Sequence, residues 1–585
     1  MKCVLAKKGK MIAGILVVIC LFPVFLWRAQ FGIDMGDEAA YLADLNRFLS
    51  GDRYLIDDWQ PSLQLTVWIL HRLFGWIPGI SFSVFGLRVI YVIFQFAVAT
   101  GIAFFLKDKR GGLGVALVYL CFTPYNIFSI SYNTLAIAMM MLCICWLLGR
   151  TKWTAFELYL GGLFFGISLF GNPYFIIIWF LYALFTIVRI IVAKRKKRIA
   201  STGLFSAKGV LWFTLGTATV GLLFLVSLIG KAEPNLYLYC IKQLFSDSEH
   251  LESGGMLTKL VGSQWIILRV YWRTILPTGI IVLYTIFSHT KYSKTGLSFK
   301  KHAVLAGLSF LVAIYTTIRF AFIYGSVACN LMIPPFMILG VELMLLLIPS
   351  ERNCIYNEKE THFLPKVGIG FLAGYLSAIC NYLASDTEIL SMSAFLILCA
   401  GCTVLLLFEY VHLFMKANDS IFSRSTLGMG TAAYTIFVLC VFVLRMTYIF
   451  CDGNTWNQTE RIESGVLFGI YTTEANKDLY YRTQNTIEKA GVVKGEKVLC
   501  IPDQPISFLF VDGPCVAPYV TRFSMSLDEL QTYYQCFPEK VPSKVIFTEW
   551  NGNRKENDVD IYNYFVGQNY SVQLFDNGNV MLTCP

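Results

Sequence analysis

Apolar runs of about 20 residues, the length that crosses a bilayer as a helix, recur along this chain at close intervals. They fall at Met11–Trp27, Ser83–Leu106, Leu113–Ser129, Leu135–Leu148, Phe156–Phe170, Tyr174–Ala193 and Val210–Ile229. Further runs follow at Ile275–Ser288, Ala303–Phe320, Leu331–Ile348, Val367–Ala384, Met392–Met415 and Leu427–Phe450. The pattern predicts about thirteen membrane helices. Lys7, Lys8 and Lys10 precede the first run as in a signal peptide. The run is long for that role and no small-x-small cleavage site follows it, so it reads as an uncleaved anchor.

Basic residues alternate with the runs. With the N-terminus inside, the inner connections carry Lys107, Lys109 and Arg110, then Arg150 and Lys152, then the cluster Lys194–Arg198. Lys291, Lys294, Lys300 and Lys301 come next, followed by Arg352, Lys359 and Lys366, and by Lys416 and Arg424. The opposite connections 130–133, 171–173 and 385–390 carry no Lys or Arg. Positive residues mark the cytoplasmic side, and the cluster suits anionic lipid. The chain therefore reads as a multi-pass protein of the cytoplasmic membrane, N-terminus inside and, for an odd helix count, C-terminal domain outside.

Composition agrees. Of 585 residues, 56% are hydrophobic and 15% charged, with mean hydropathy +0.59. A soluble domain has about 25% charged residues, so a soluble enzyme, a disordered regulator and a fibrous protein are excluded. The net charge of +10 belongs to the inner loops, and no nucleic-acid motif accompanies it. Seventeen Cys without a close-spaced framework do not describe a disulfide scaffold.

Three segments depart from the spanning pattern: a first outside loop at 29–82, a second at 231–274, and 451–585, which has the composition of a soluble domain. In the last, 496–501, 544–548 and 570–575 read as strands and 472–490 and 526–535 as helices, with Gly and Pro between them. The fold class is thus a polytopic α-helical membrane protein, domain 1–450, with a small extracytoplasmic α/β domain, 451–585.

Acidic residues are scarce, and the first outside loop gathers Asp34, Asp37, Glu38, Asp44, Asp52, Asp57 and Asp58. From Glu38 onward the spacing is helical, with Asp37 as the expected N-cap. Asp37-Glu38-Ala39-Ala40-Tyr41 leads to Asp58-Trp59-Gln60-Pro61-Ser62-Leu63, an amphipathic stretch over 65–75, and Gly86-Leu87-Arg88. Thr123-Pro124-Tyr125, Tyr132-Asn133-Thr134-Leu135 and Gly166-Ile167-Ser168-Leu169-Phe170-Gly171-Asn172-Pro173 continue the series. In this order, over roughly the first 200 residues, they resemble the N-terminal half of the C-type (GT-C fold) membrane glycosyltransferases. The likeness is to glycosyltransferase family 39, the protein O-mannosyltransferases and the lipid A aminoarabinose transferases.

The resemblance implies sugar transfer from a polyprenyl phosphate to a glycan, lipid or protein acceptor at the outer face of the membrane, with inversion. It makes Asp37 the general base and Glu38 its orienting or acceptor-binding neighbour. Burial moves a carboxylate's pKa upward, toward what such a base needs. Arg88 is the first cation for the leaving phosphate. Tyr41 and Asp58 fall in the loop motifs as substrate-binding candidates. Asn133 stands where the aminoarabinose transferases carry Asp; it can bind a hydroxyl but cannot be a base. Asn172 precedes Pro173 where many relatives have Lys-Pro on the lipid phosphate, so another cation must replace that lysine. Arg269, Arg273 and Arg319 are candidates, because an arginine in apolar surroundings faces a cavity or partner; Arg319, which follows Tyr315-Thr316-Thr317-Ile318 and precedes Tyr324, is preferred. Gln60 and Ser62 also depart from the family's loop element.

No cofactor and no metal ligand are assigned, since the six His show no ligand spacing. A divalent ion at the loop carboxylates stays open, as some C-type enzymes use one. Two alternatives remain. One is a transporter or flippase for lipid-linked glycans, which would show repeats, broken helices and ionisable groups near mid-bilayer. The other is a non-catalytic scaffold whose outside domain binds glycan.

Overall fold

The structure is a computed structural model. It describes residues 17–77, 82–196, 203–231, 234–243, 256–291, 299–323, 325–347, 363–385, 387–417, 421–501, 505–520, 525–548, 550 and 556–585. The expectations placed on Lys7, Lys8, Lys10, Lys197, Arg198, Lys294, Arg352 and Lys359 lie outside these residues.

The molecule is a helical membrane protein with a small mixed sheet after the last long helix. Among the described residues, 8 helices are long and apolar enough to cross a membrane: Val84–Phe105, Pro173–Arg195, Ala207–Leu228, Thr258–Phe287, Ala303–Phe322, Ala328–Leu347, Val367–Ala384 and Arg424–Thr447. Ile389–Phe395 and Ile397–His412 make a further span broken by a 41° bend, and Val17–Arg28, Tyr132–Leu148 and Ala155–Gly171 are shorter apolar helices. Helix starts follow local chemistry. Ser83 accepts from the Gly86 amide at 3.1 Å, and capping boxes at Ser131/Thr134 and Thr154/Glu157 open two more helices.

Two expected boundaries move. The run placed at 113–129 is helical only over Lys109–Cys121, and the chain then leaves the helix through Pro124–Asn126, where Tyr125 and Asn126 have φ of 56° and 62°. Pro124 cannot donate to a continuing helix. The second outside loop, expected over 231–274, is instead helical from Met256 through Lys291, with a local break at Tyr271. Lys259, Arg269 and Arg273 lower its hydropathy, yet Arg269 and Arg273 are exposed on its flank.

The first loop is a packed layer. Below, α1 is Val17–Arg28, α2 is Asp37–Leu49, α3 is Pro61–Phe74 and α4 is Val84–Phe105. Both α2 and α3 are amphipathic, and most of α2 is buried.

In the C-terminal domain a four-stranded sheet runs in the order Val498–Ile501, Lys544–Phe547, Val580–Thr583, Ser571–Leu574. The first pair is parallel, with Leu499 opposite Val545, and the others are antiparallel. Ile487, Ala490, Val498, Cys500, Ile546 and Met581 pack on one face. Leu499, Val545 and Leu582 belong to the main core, with Ile561 and Phe565 of Glu556–Gly567.

Candidate active site

The site begins where α1 ends and α2 starts. Residue Gly36 precedes α2 and offers no side-chain cap, and Asp37 is the first helical residue instead of the expected N-cap. The cap comes from Asp34, whose carboxylate accepts from the amides of Gly36, Asp37 and Glu38 at 3.0, 3.1 and 3.2 Å. These are amides that a helix start leaves without partners. Burial, then the charges of Asp37 and Glu38, push Asp34 up to about 8.

Consecutive helical residues are about 100° apart around the axis, so Asp37 and Glu38 point to different places. Glu38 turns inward and is buried, as is Arg88 near the start of α4. The pair is bidentate, with Arg88 Nε and Nη2 donating to Glu38 at 2.7 and 2.5 Å. The remaining Arg88 donors reach the carbonyls of Ala29 at 3.0 Å, Phe31 at 3.2 Å and Gly32 at 2.8 Å. A guanidinium has five N–H groups, and all five are taken. A phosphate bound by Arg88, the role expected from the sequence, would have to displace these protein acceptors. Arg88 holds Glu38 and the turn between α1 and α2.

Asp37 is exposed. Its carboxylate has no hydrogen-bond or ion-pair partner among the described residues. Protein packed around it strips enough water to raise its pKa; its exposure limits the size of that shift, and the direction is upward. It lies within electrostatic reach of Tyr41, Tyr125, Tyr132 and Cys451. Tyr41, one helical turn on, is buried, and its hydroxyl accepts from the Tyr132 amide at 3.0 Å. That bond places Tyr132, an exposed residue, beside Asp37. Asn133 follows, buried, its Oδ1 without a hydrogen-bond partner. Tyr125 is held in its left-handed conformation by Asn330 Oδ1, which accepts from its amide at 3.1 Å. Nearby, Arg28, Arg88, Asp34, Glu38 and Asn126 line a cavity of about 20 Å³, room for about one water.

Asp58 lies apart from Asp37, fully buried against Asp44. One Asp58 oxygen accepts from the Gln60 amide at 2.9 Å, and Arg47 Nη1 is 3.9 Å from it. Both Asp44 oxygens and the other Asp58 oxygen find no donor in the protein. Burial, then the charge of Asp58, hold Asp44 well above the usual carboxylate range. The structure places Asp58 in this buried pair.

Asn172 is buried too. Its Nδ2 donates to Asn381 at 2.9 Å and its Oδ1 accepts from the Tyr174 amide at 3.1 Å, so it joins helices. Arg319 is half-buried at the end of the helix Phe299–Ile323, its guanidinium near the Phe320 ring. It forms no ion pair or hydrogen bond among the described residues, and no bond to Asp37.

A divalent metal does not suit these residues. Among the described residues no three His, Cys, Asp or Glu side chains converge as a donor set. At the buried carboxyl pair, the Arg47 guanidinium stands where a cation would have to approach.

Sequence reasoning missed Asp34 as the cap, Tyr132 as the exposed residue at Asp37, and two buried arginines. Arg28 donates to the carbonyls of Arg445, Phe31 and Tyr448. Arg445 lies over the rings of Phe25 and Phe128, 4.1 and 4.4 Å from the centroids. The Asp34-x-x-Asp37 spacing was the readable signal for the cap. Nothing local marks Arg28 or Arg445, because most of their partners lie hundreds of residues away.

No protein-family model matches the chain, and no curated protein matches it. Among solved structures it is similar to ArnT from Cupriavidus metallidurans, a crystal structure bound to undecaprenyl phosphate. Identity is 14%, the TM-score is 0.42, and the alignment covers 98% of each chain.

Proposed function

We propose that this chain is a membrane glycosyltransferase that moves a sugar from a polyprenyl phosphate to an acceptor at the outer face of the membrane, with Asp37 as general base. The observation that carries this reading is the state of Asp37: surface-reaching, unpaired, raised in pKa, and bordered by Tyr125 and Tyr132. Its neighbour Glu38 is wholly engaged with Arg88, so the two acids are not interchangeable. An acceptor hydroxyl attacks the anomeric carbon and its proton passes to the Asp37 carboxylate. The bond from that carbon to the phosphate oxygen breaks on the opposite face, and the polyprenyl phosphate leaves with the electron pair, giving inversion. Tyr132 offers an aromatic face to a sugar ring, and the unpartnered Asn133 Oδ1 can accept from a hydroxyl. With Arg88 engaged, Arg319 is the preferred arginine for the departing phosphate, ahead of Arg269 and Arg273, and closure of the donor on the site would have to bring it there.

The test is sugar transfer from defined polyprenyl-phosphate sugars by wild type and Asp37→Asn. The substitution is expected to cut kcat by about 100-fold or more, and equal turnover would remove Asp37 from the base role. In wild type, kcat/KM should climb with pH through the raised pKa of Asp37, since only the carboxylate accepts a proton. A limb at or below the ordinary carboxylate value would contradict that assignment.

A second reading, translocation of a lipid-linked glycan, has two observations behind it: the span broken by 41° at Phe395–Ile397 and Glu342, buried in a membrane helix with Oε1 unpartnered. Movement of labelled lipid-linked sugar across vesicles without a glycosylated product would favour it.

A further inference from the structure

The helix bearing Asp37 is tied at both ends to residues beyond 450. At its entry, the Ile33 amide donates to Asp452 Oδ2 at 2.7 Å, one residue before the capping Asp34. The same carboxylate accepts from Thr472 at 2.8 Å and, through its other oxygen, from Asn476 at 2.6 Å. The Gly32 amide donates to the Tyr471 carbonyl and the Tyr471 amide to the Gln30 carbonyl, each at 2.7 Å. Residues 30–33 are thereby paired to the C-terminal domain like a short strand. At the exit of α2, Arg47 Nε donates to Asp52 at 2.6 Å, and Lys540 Nζ reaches the other Asp52 oxygen at 2.5 Å and the Cys515 carbonyl at 2.9 Å. The Tyr533 hydroxyl donates to the Asp57 carbonyl at 2.8 Å, and the Trp59 amide donates to the Pro518 carbonyl at 2.7 Å. Asp52 and Lys540 side chains are each 10% exposed, and Arg47 is 1%.

We propose that the C-terminal domain is a brace that fixes the direction of Asp37, with Asp452 and Lys540 as positioning residues at the two ends of α2. Buried charge-assisted bonds of this kind have strict geometry. Both joints also bear on backbone within a few residues of the helix ends, so loosening either one tilts the helix that aims the carboxylate. An error of about 1 Å in such a group costs about 100-fold in rate. The kinetic part of this proposal rests on the transferase reading; the mechanical part does not.

The experiment uses the full chain in lipid nanodiscs: wild type, Asp452→Ala, Asp452→Asn, Lys540→Met and Lys540→Arg. Amide exchange over 33–49 is read against the membrane helix Tyr132–Leu148, and kcat and KM are measured on a panel of polyprenyl-phosphate hexoses and pentoses. Asp452→Ala and Lys540→Met should speed exchange over 33–49 by about tenfold while leaving 132–148 unchanged. They should lower kcat by about 100-fold with KM within about threefold. Lys540→Arg should restore most of both. Should Asp452→Ala fail to fold, Asp452→Asn, which keeps one acceptor oxygen, takes its place with a smaller effect in the same direction. Unchanged exchange over 33–49 in the Asp452 variant and in Lys540→Met overturns the brace, whatever the activity. Faster exchange with an unchanged kcat overturns the positioning role. Faster exchange in a protein whose wild type transfers no sugar keeps the brace and removes the transferase reading instead.

Discussion

Asp34 shows how one carboxylate sets the conditions for two others. It accepts from three amides at the start of α2, and its own charge is disfavoured first by burial and then by Asp37 and Glu38. Its pKa in the folded protein, about 8, lies above the ordinary value of 3.8. The sign of the linkage follows: the neutral form is favoured by folding, so this contribution is complete below about pH 4 and disappears as pH climbs through about 8. Asp34→Asn keeps one acceptor oxygen and carries no charge. Its thermal midpoint in detergent should therefore vary less between pH 4 and pH 8 than that of wild type. Parallel pH profiles for the two proteins would show that Asp34 does not titrate in that window. Asp34→Ala also loses the cap, at a cost of about 1 kcal/mol.

At the scale of elements, the helices Ala155–Gly171 and Ala207–Leu228 pack backbone to backbone. A Cβ at Gly162 would collide with the Phe213 carbonyl, and one at Gly216 with the Tyr159 carbonyl. Gly166, four residues from Gly162, would meet the Thr217 carbonyl at 2.9 Å, so Gly162 and Gly166 form a small-xxx-small face. Gly162→Leu should push the pair apart and destabilise the protein by about 1–3 kcal/mol, read as a lower midpoint in detergent. An unchanged midpoint would mean that the contact is not tight. This glycine spacing and the capping boxes at Ser131 and Thr154 depend only on neighbours within one or two turns, yet hydropathy runs did not single them out. The extent of Met256–Lys291 was not legible in the sequence. Hydropathy averages over all sides of a helix, and Lys259, Arg269 and Arg273 outweighed the apolar flank that packs on Phe299–Ile323. The burial of Asp58 was equally hidden, since Asp44 and Asp58 meet only when α2 folds over the segment leading into α3.

At the scale of the whole molecule, residues from the two ends of the membrane part converge under the site. Arg445 donates through Nη2 to Gln95 Oε1 at 2.8 Å and through Nη1 to the Leu120 carbonyl, while its own carbonyl accepts from Arg28 Nε at 3.1 Å. Arg28 continues to the Tyr448 carbonyl at 2.9 Å, where the chain leaves its last membrane helix. This ladder joins α1, α4 and Ile421–Thr447, and places the start of the C-terminal domain against the turn that carries Asp34. Sequence patterning reads helices one at a time and does not register a tie between residues 28 and 445. Arginine suits it because a planar fork can stack on Phe25 and Phe128 while its edges bond two elements. Lysine in its place keeps the charge but reaches one acceptor at a time and gives up the stack. The other acceptor is then left unpaired in the interior, at about 1–3 kcal/mol. Arg445→Lys should therefore lower the thermal midpoint measurably and loosen residues 28–38 to amide exchange, although the substitution lies far from Asp37 in sequence. A midpoint and exchange pattern equal to wild type would show that charge alone, without the fork, holds this junction.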